Sequence, residues 1–261
     1  MPYYNINDIG TVMIYLKYKK KVGGEKRICF WRGNIMEFIN PNPELRWIEL
    51  EPDLAIGAVK DHYKAGIIGI KLSIHDIEKD GPINWLNFPS WAKKVPKRPS
   101  NIKVRIFCWQ ARDLPAADET GSSDAFLRIT DSGKTLETKV IWDNVNPLFY
   151  EGIDAIYEAN SQEELPPIIV ECFDKDEELI GKDSEDFLSR ALIYYKDLQG
   201  DYSTDDTIPT PTWHKLYYKK GGAVSGEVLL SFAIVDDDYP FKRTLDRLRL
   251  EREVEMKEFN I

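Results

Sequence analysis

Cysteine and histidine are scarce in this 261-residue chain, and so are long apolar runs and groups with nucleophilic chemistry. Cys29, Cys108 and Cys172 are odd in number and lack metal-ligand spacing, which excludes a disulfide framework and a zinc site and leaves reduced thiols. His62, His75 and His214 are scattered without a His-x-x-x-His pattern. No Gly-x-Ser-x-Gly elbow or phosphate-cradling glycine loop is present, so catalysis is not expected. No apolar run approaches the ~20 residues that cross a bilayer, and Met1-Pro2-Tyr3-Tyr4 starts neither a charged nor an apolar leader. The polypeptide as given is expected to stay in water, in the cytosol, with any anchor outside it. Bases are outnumbered 35 to 44 for a net charge of −9, which argues against nucleic acid as the main partner.

Apolar residues make up 43% of the chain, enough for a core, and they alternate with polar ones. Ile102-Lys103-Val104-Arg105-Ile106-Phe107-Cys108 and Ile168-Ile169-Val170-Glu171-Cys172-Phe173 have the period of two that marks strands. The same alternation recurs in Phe126 to Ile129 and in Val228, Leu230, Phe232 and Ile234. Acidic loops adjoin the first two runs: Asp118-Glu119-Thr120-Gly121-Ser122-Ser123-Asp124 and Asp174-Lys175-Asp176. Carboxylates gathered at one place repel one another unless a cation sits among them. Hard oxygen donors suit Ca²⁺, which takes about 6 to 8 of them in flexible geometry. The pattern reads as a calcium cup.

The order of these elements, with Thr138 to Glu151 containing Asn146-Pro147-Leu148-Phe149-Tyr150-Glu151, and with Asp186-Phe187-Leu188-Ser189 after the second acidic loop, resembles the C2 domain family. The likeness covers residues 100–236. It implies an eight-stranded antiparallel β-sandwich with calcium ligands at Asp118, Asp124, Asp174, Asp176 and Asp186. Asp183 is the alternate for the last, because the third loop is about four residues longer than the family's common form. Ala125 and Phe126 stand where the family has Pro-Tyr, and Ser189 where it has Gly. The closing run Ser225 to Val235 and the acidic stretch after it are most similar to C2 units of ferlin-type proteins of vesicle fusion. The resemblance implies calcium-dependent attachment to anionic phospholipid membranes. Leu179 and Ile180, beside Lys182, either enter the acyl boundary or fold back on the sandwich. A second reading keeps the fold but makes it a calcium-independent scaffold that meets other C2 units of a longer protein or an assembly partner.

Outside the main unit, residues 1–80 carry a faint copy of its end. Trp47-Ile48-Glu49-Leu50 followed by Gly66 to Leu72 parallels Trp213-His214-Lys215-Leu216 followed by Gly226 to Phe232. The expected organisation is a partial C2-like β unit (1–80), a linker rich in Pro, Trp and bases (81–99), the complete domain (100–236) and a connector helix (237–261). In the last segment Phe241, Leu245 and Leu248 recur at helical spacing.

Overall fold

A computed structural model gives the fold. It describes residues 10–19, 21, 23–38, 44–53, 66–72, 100–118, 120–131, 134–159, 161, 164–176, 184–198, 209–218 and 221–235. The linker 81–99, the connector helix expected over 237–261, and Leu179, Ile180, Lys182 and Asp183 lie outside the described residues. By internal contacts the chain divides into two compact units, residues 1–96 and 97–261.

In the first unit, β1 (Thr11–Lys19) and β2 (Glu25–Asn34) form an antiparallel hairpin, flanked on the β2 side by the two-residue β4 (Glu51–Pro52). β3 (Arg46–Glu49) pairs antiparallel with β5 (Ile67–Ile70), the same relation that Thr212–Tyr217 and Val224–Val235 have in the second unit. The core is small. Cys29, Trp31 and Leu50 are buried, with Val12, Ile14, Ile48 and Ile68 packed against them. The Trp31 indole lies where a Cβ on residue 33 would stand, 2.0 Å from its Cζ2, so only glycine fits there.

The second unit is one eight-stranded antiparallel sheet in the order β8-β7-β10-β11-β12-β13-β6-β9, wrapped until it nearly closes. Its strands are β6 (Ser100–Arg112), β7 (Ala125–Thr130), β8 (Thr135–Glu137), β9 (Leu148–Ala159), β10 (Ile168–Asp176), β11 (Ser184–Ile193), β12 (Thr212–Tyr217) and β13 (Val224–Val235). The two end strands meet: just past β8, the Lys139 amide donates to Glu151 Oε1 of β9 at 3.2 Å. Closure of this kind removes the exposed edges that an open sheet would present.

Alternation in sequence becomes the inside and outside of this wrap. From β6, Ile102, Val104, Ile106 and Cys108 enter the core, joined by Leu127 and Ile129 of β7, Ile153 and Ala155 of β9, and Leu230 of β13. Each large apolar side chain fully buried there contributes about 1.5–3 kcal/mol. Cys108 and Cys172 are free thiols in this core, and burial pushes both well above the usual thiol range. They are fillers, not nucleophiles. On the outer surface Arg128 bridges Glu137 of β8 (2.7 Å) and Glu185 of β11 (2.6 Å), and its guanidinium lies 4.2 Å from the Phe173 ring centre. This clamp ties together the four strands that carry one side of the acidic rim.

Candidate cation site at the aspartate rim

β10 ends on Asp174 and Asp176, and the chain between β6 and β7 returns to the same end of the sheet, because Ala125 of β7 pairs with Asp174 of β10. Backbone bonds fix the approach. The Lys175 amide donates to Asp124 O at 3.0 Å, and the Asp124 amide donates to Asp174 Oδ1 at 2.6 Å. Upstream, the loop is closed on itself by buried Ser123, whose hydroxyl donates to Pro115 O (2.7 Å) and accepts from the Ala117 amide (3.0 Å). Gly121, at φ +84, makes the tight turn that lets its amide reach Asp118 O at 3.0 Å.

A third segment joins them. The Asn144 amide donates to Ser123 O at 2.9 Å, and the Asp143 amide donates to Asp124 Oδ1 at 2.7 Å. Asp143 holds φ +53, a left-handed conformation that Asp tolerates better than most residues. Asn146 fixes the neighbouring corner. Its Oδ1 accepts from the amide of Asp113, itself at φ +54, at 2.9 Å.

The result is two overlapping groups of carboxylates, Asp118 with Asp174 and Asp176, and Asp118 with Asp124 and Asp143. Within each group, one oxygen from every member lies within 4.8 Å of the others. Asp118, Asp124, Asp174 and Asp176, four of the acids that the resemblance singled out, thus fall within these two groups. Asp186 sits opposite Asp174 in the β10–β11 ladder, but its side chain is exposed and joins neither group. Asp143 is the acid that the sequence reading missed. The signal was present, an Asp-Asn pair just after an apolar run, but only the fold shows that this turn lies at the rim. Ser122 is also missed, its hydroxyl lying 3.2 Å from Asp143 Oδ1 and 3.4 Å from Asp118 Oδ2.

Electrostatically the centre of the rim is Asp174. It is 1% exposed, and its Oδ2 is buried without a hydrogen-bond donor. Burial pushes its carboxyl up to about 6; the Asp124 amide opposes this, and the charges of Asp118, Asp176 and Asp124 reinforce it. A buried carboxylate with one unsatisfied oxygen among like charges is costly unless a cation completes it. The donors are all hard oxygens, so the residues present fit a divalent cation such as Ca²⁺.

Of the three positions where the chain departs from the family pattern, Ala125 and Ser189 are built into the sheet. Ala125 is fully buried and exchanges two backbone hydrogen bonds with Ile141, at 3.0 and 2.9 Å. Ser189 is fully buried opposite Cys172, next to the irregularity that sets Phe187 against Phe173. His214 is held by Thr212 Oγ1 at 2.9 Å and packs edge-on to Phe232, and burial lowers its basicity.

Residues 102–216 match the profile of the C2 domain. The chain is 26% identical to mouse myoferlin over 138 residues, which is 51% of this chain and 6% of that protein. It is also 26% identical over 203 residues, 76% of this chain, to multiple C2 domain and transmembrane region protein 6 of Arabidopsis thaliana, of which the match spans 17%. Among solved structures, a C2 domain of plant extended synaptotagmin 1 aligns with a TM-score of 0.39 and 18% identity, covering 54% of this chain and all of that one. The chain therefore corresponds to a small part of the curated relatives it matches. Among the described residues no helix is long and apolar enough to cross a membrane. Residues 102–216 of this chain belong to the C2 domain family.

Proposed function

We propose that residues 100–236 are a Ca²⁺-dependent binding module for anionic phospholipid membranes. The observation that carries this reading is the pair of overlapping carboxylate groups, Asp118 with Asp174 and Asp176, and Asp118 with Asp124 and Asp143, the first of which includes the Asp174 carboxylate, whose buried Oδ2 no protein group satisfies. Asp118, Asp124, Asp174 and Asp176 are the ligands proposed, Asp143 is added from the structure, and Asp183, or Asp186 near the start of β11, is proposed as a further donor. The calcium-independent scaffold reading gives no account of the buried Asp174 oxygen.

The rim does two things. Without a cation its carboxylates make this end of the domain negative and repel an anionic surface. Their short separation also makes simultaneous ionisation unfavourable, since unit charges about 4 Å apart near a surface interact by a few kcal/mol. Bound calcium supplies positive charge and leaves coordination positions for lipid phosphate oxygens. The protein's own part is orientation: Ser123, Asn144 and the Asp124 amide hold the acidic loops in register before any ligand arrives. β10 ends and β11 begins at this rim, and Leu179, Ile180 and Lys182, between them in sequence, are the residues proposed to meet the membrane. A role in membrane traffic, as part of a longer multi-C2 protein, fits the myoferlin and plant multiple-C2 relatives.

Co-sedimentation of the full chain with phosphatidylserine vesicles tests the reading. Calcium should add a bound fraction that chelator releases, and Asp174→Asn/Asp176→Asn should abolish that increment. Binding that is the same with calcium and with chelator contradicts it.

A further inference from the structure

Charge is segregated along this chain. Residues 11–34 hold seven bases against one acid, Glu25, a local net of +6 in a protein of net −9, so all other residues together carry −15. Segregation on this scale points to an anionic partner for the basic part. That part is the β1–β2 hairpin.

The hairpin is a ribbon that outruns its support. β4 pairs only with Cys29 and Phe30, so the half nearer the turn, where Lys17, Tyr18 and Lys19 face Arg27, Lys26 and Glu25, has no third strand among the described residues. A two-stranded ribbon is marginal in water by itself. This one also exposes apolar bodies on both faces. Met13 and Tyr15 point to one side of β1 and Leu16 and Tyr18 to the other; Met13 and Leu16 are each 44% exposed and Tyr18 is 56% exposed. Cationic heads frame them. Arg32 lies opposite Met13, Lys17 lies opposite Arg27, and the Arg27 guanidinium sits 5.2 Å from the Tyr15 ring centre. Glu25 neutralises Lys17 at 3.0 Å and Asp53 neutralises Arg27 at 3.2 Å, which leaves the charges of Lys19, Lys21, Lys26 and Arg32 in net excess along the hairpin.

A folded protein partner would cover one face of such a ribbon, and a nucleic acid would gain from cations and aromatic planes but nothing from Met13 and Leu16. A lipid headgroup layer surrounds an inserted element on both faces. It takes tyrosine and aliphatic bodies at the depth of the acyl boundary while lysine stems reach back to phosphates. We infer that the β1–β2 ribbon is a calcium-independent contact for an anionic phospholipid surface, with Leu16 and Tyr18 entering the headgroup layer and the lysines near the turn meeting lipid phosphates. This stands apart from the aspartate rim and does not depend on it.

The test is sedimentation of the full chain in chelator with vesicles of phosphatidylcholine, with and without phosphatidylserine. The wild type should bind only the anionic vesicles, and less so as salt is raised. Lys19→Glu/Lys21→Glu, which spares the Lys17–Glu25 pair, should weaken that binding by about tenfold or more, given the strength of lysine attraction to an anionic leaflet. Lys19→Gln/Lys21→Gln should give a smaller loss in the same direction, with unchanged circular dichroism showing that the fold is intact. Leu16→Ser/Tyr18→Ser should weaken it several-fold. No binding to anionic vesicles in chelator overturns the inference, as does binding that both sets of ribbon variants leave unchanged. Equal affinity for heparin or RNA that Leu16→Ser/Tyr18→Ser does not alter would reassign the ribbon to a polyanion and also overturn it.

Discussion

In residues 97–261 eight strands wrap until β8 approaches β9, and the core they enclose draws on every strand. Among the described residues of 1–96 the sheets have three strands and two, three apolar residues are buried, and β1 leaves Met13, Leu16 and Tyr18 exposed. A closed sheet can hold unfavourable chemistry at its end because the rest of the unit stabilises it; the rim aspartates need such a scaffold. An open ribbon cannot hold buried charge, but it can present apolar and cationic groups that a closed unit would have taken inside. The contrast assigns the two kinds of surface to two kinds of architecture.

The largest expected effect separates the cores. Leu127→Ala, at a fully buried position on β7, should cost about 2–5 kcal/mol in urea unfolding, while Met13→Ala on the ribbon should stay within about 0.5 kcal/mol. A costly Met13→Ala would mean that the ribbon is integral to its unit's stability, and the comparison would fail.

Next in size is the response of Asp174. Its folded carboxyl titrates at about 6 against 3.8 for a free aspartate, so the folded state binds the proton more tightly. The stability this contributes is fully present below about 3.8 and is lost as pH rises through about 6. In chelator at neutral pH, Asp174→Asn should therefore melt above wild type, with the gap closing as pH is lowered toward 4. With calcium at about 1,000 times the wild-type Kd the order should reverse where the variant no longer binds, because that binding adds about 4.1 kcal/mol to the wild type. Calcium affinity should itself fall below pH 6 as Asp174 takes up its proton. A variant that is less stable than wild type in chelator across the whole range would remove the claim of stored repulsion.

A smaller effect probes the corner that supports the rim. Asn146→Ala removes the acceptor for the Asp113 amide and should cost about 1 kcal/mol in thermal or urea unfolding. It should lower calcium affinity only modestly, since Asn146 touches no rim carboxylate.

Much of this architecture was legible in the residues themselves. Runs such as Ile102 to Cys108 and Ile168 to Phe173 alternate because one face of each strand is core, so strand identity and facing could be read directly. The loop acids Asp118, Asp124, Asp174 and Asp176 were singled out by the resemblance to the C2 family, whose order of motifs is written in the sequence even though the distances between them are not. What stayed hidden depended on pairings made at a distance. Asp143 enters the rim through an amide bonded to Asp124 and a left-handed turn, and nothing in its local sequence states which end of the sheet that turn occupies. Asp186 looked equivalent to the other acids, yet it lies across the ladder from Asp174 with its side chain in solvent, next to an irregular pairing at Cys172 and Phe173 that no pattern announces. The ribbon was hidden for the opposite reason. Its alternation reads as an ordinary strand, and only the lack of a third strand along its outer half, among the described residues, shows that its apolar side chains remain uncovered.

Calorimetric titration of calcium into the wild-type chain and Asp174→Asn at neutral pH tests the central claim most directly. The account predicts a heat of binding for the wild type that is lost, or moved to at least about tenfold weaker affinity, in the variant. A wild type that gives no heat and no calcium-induced rise in melting temperature would contradict it.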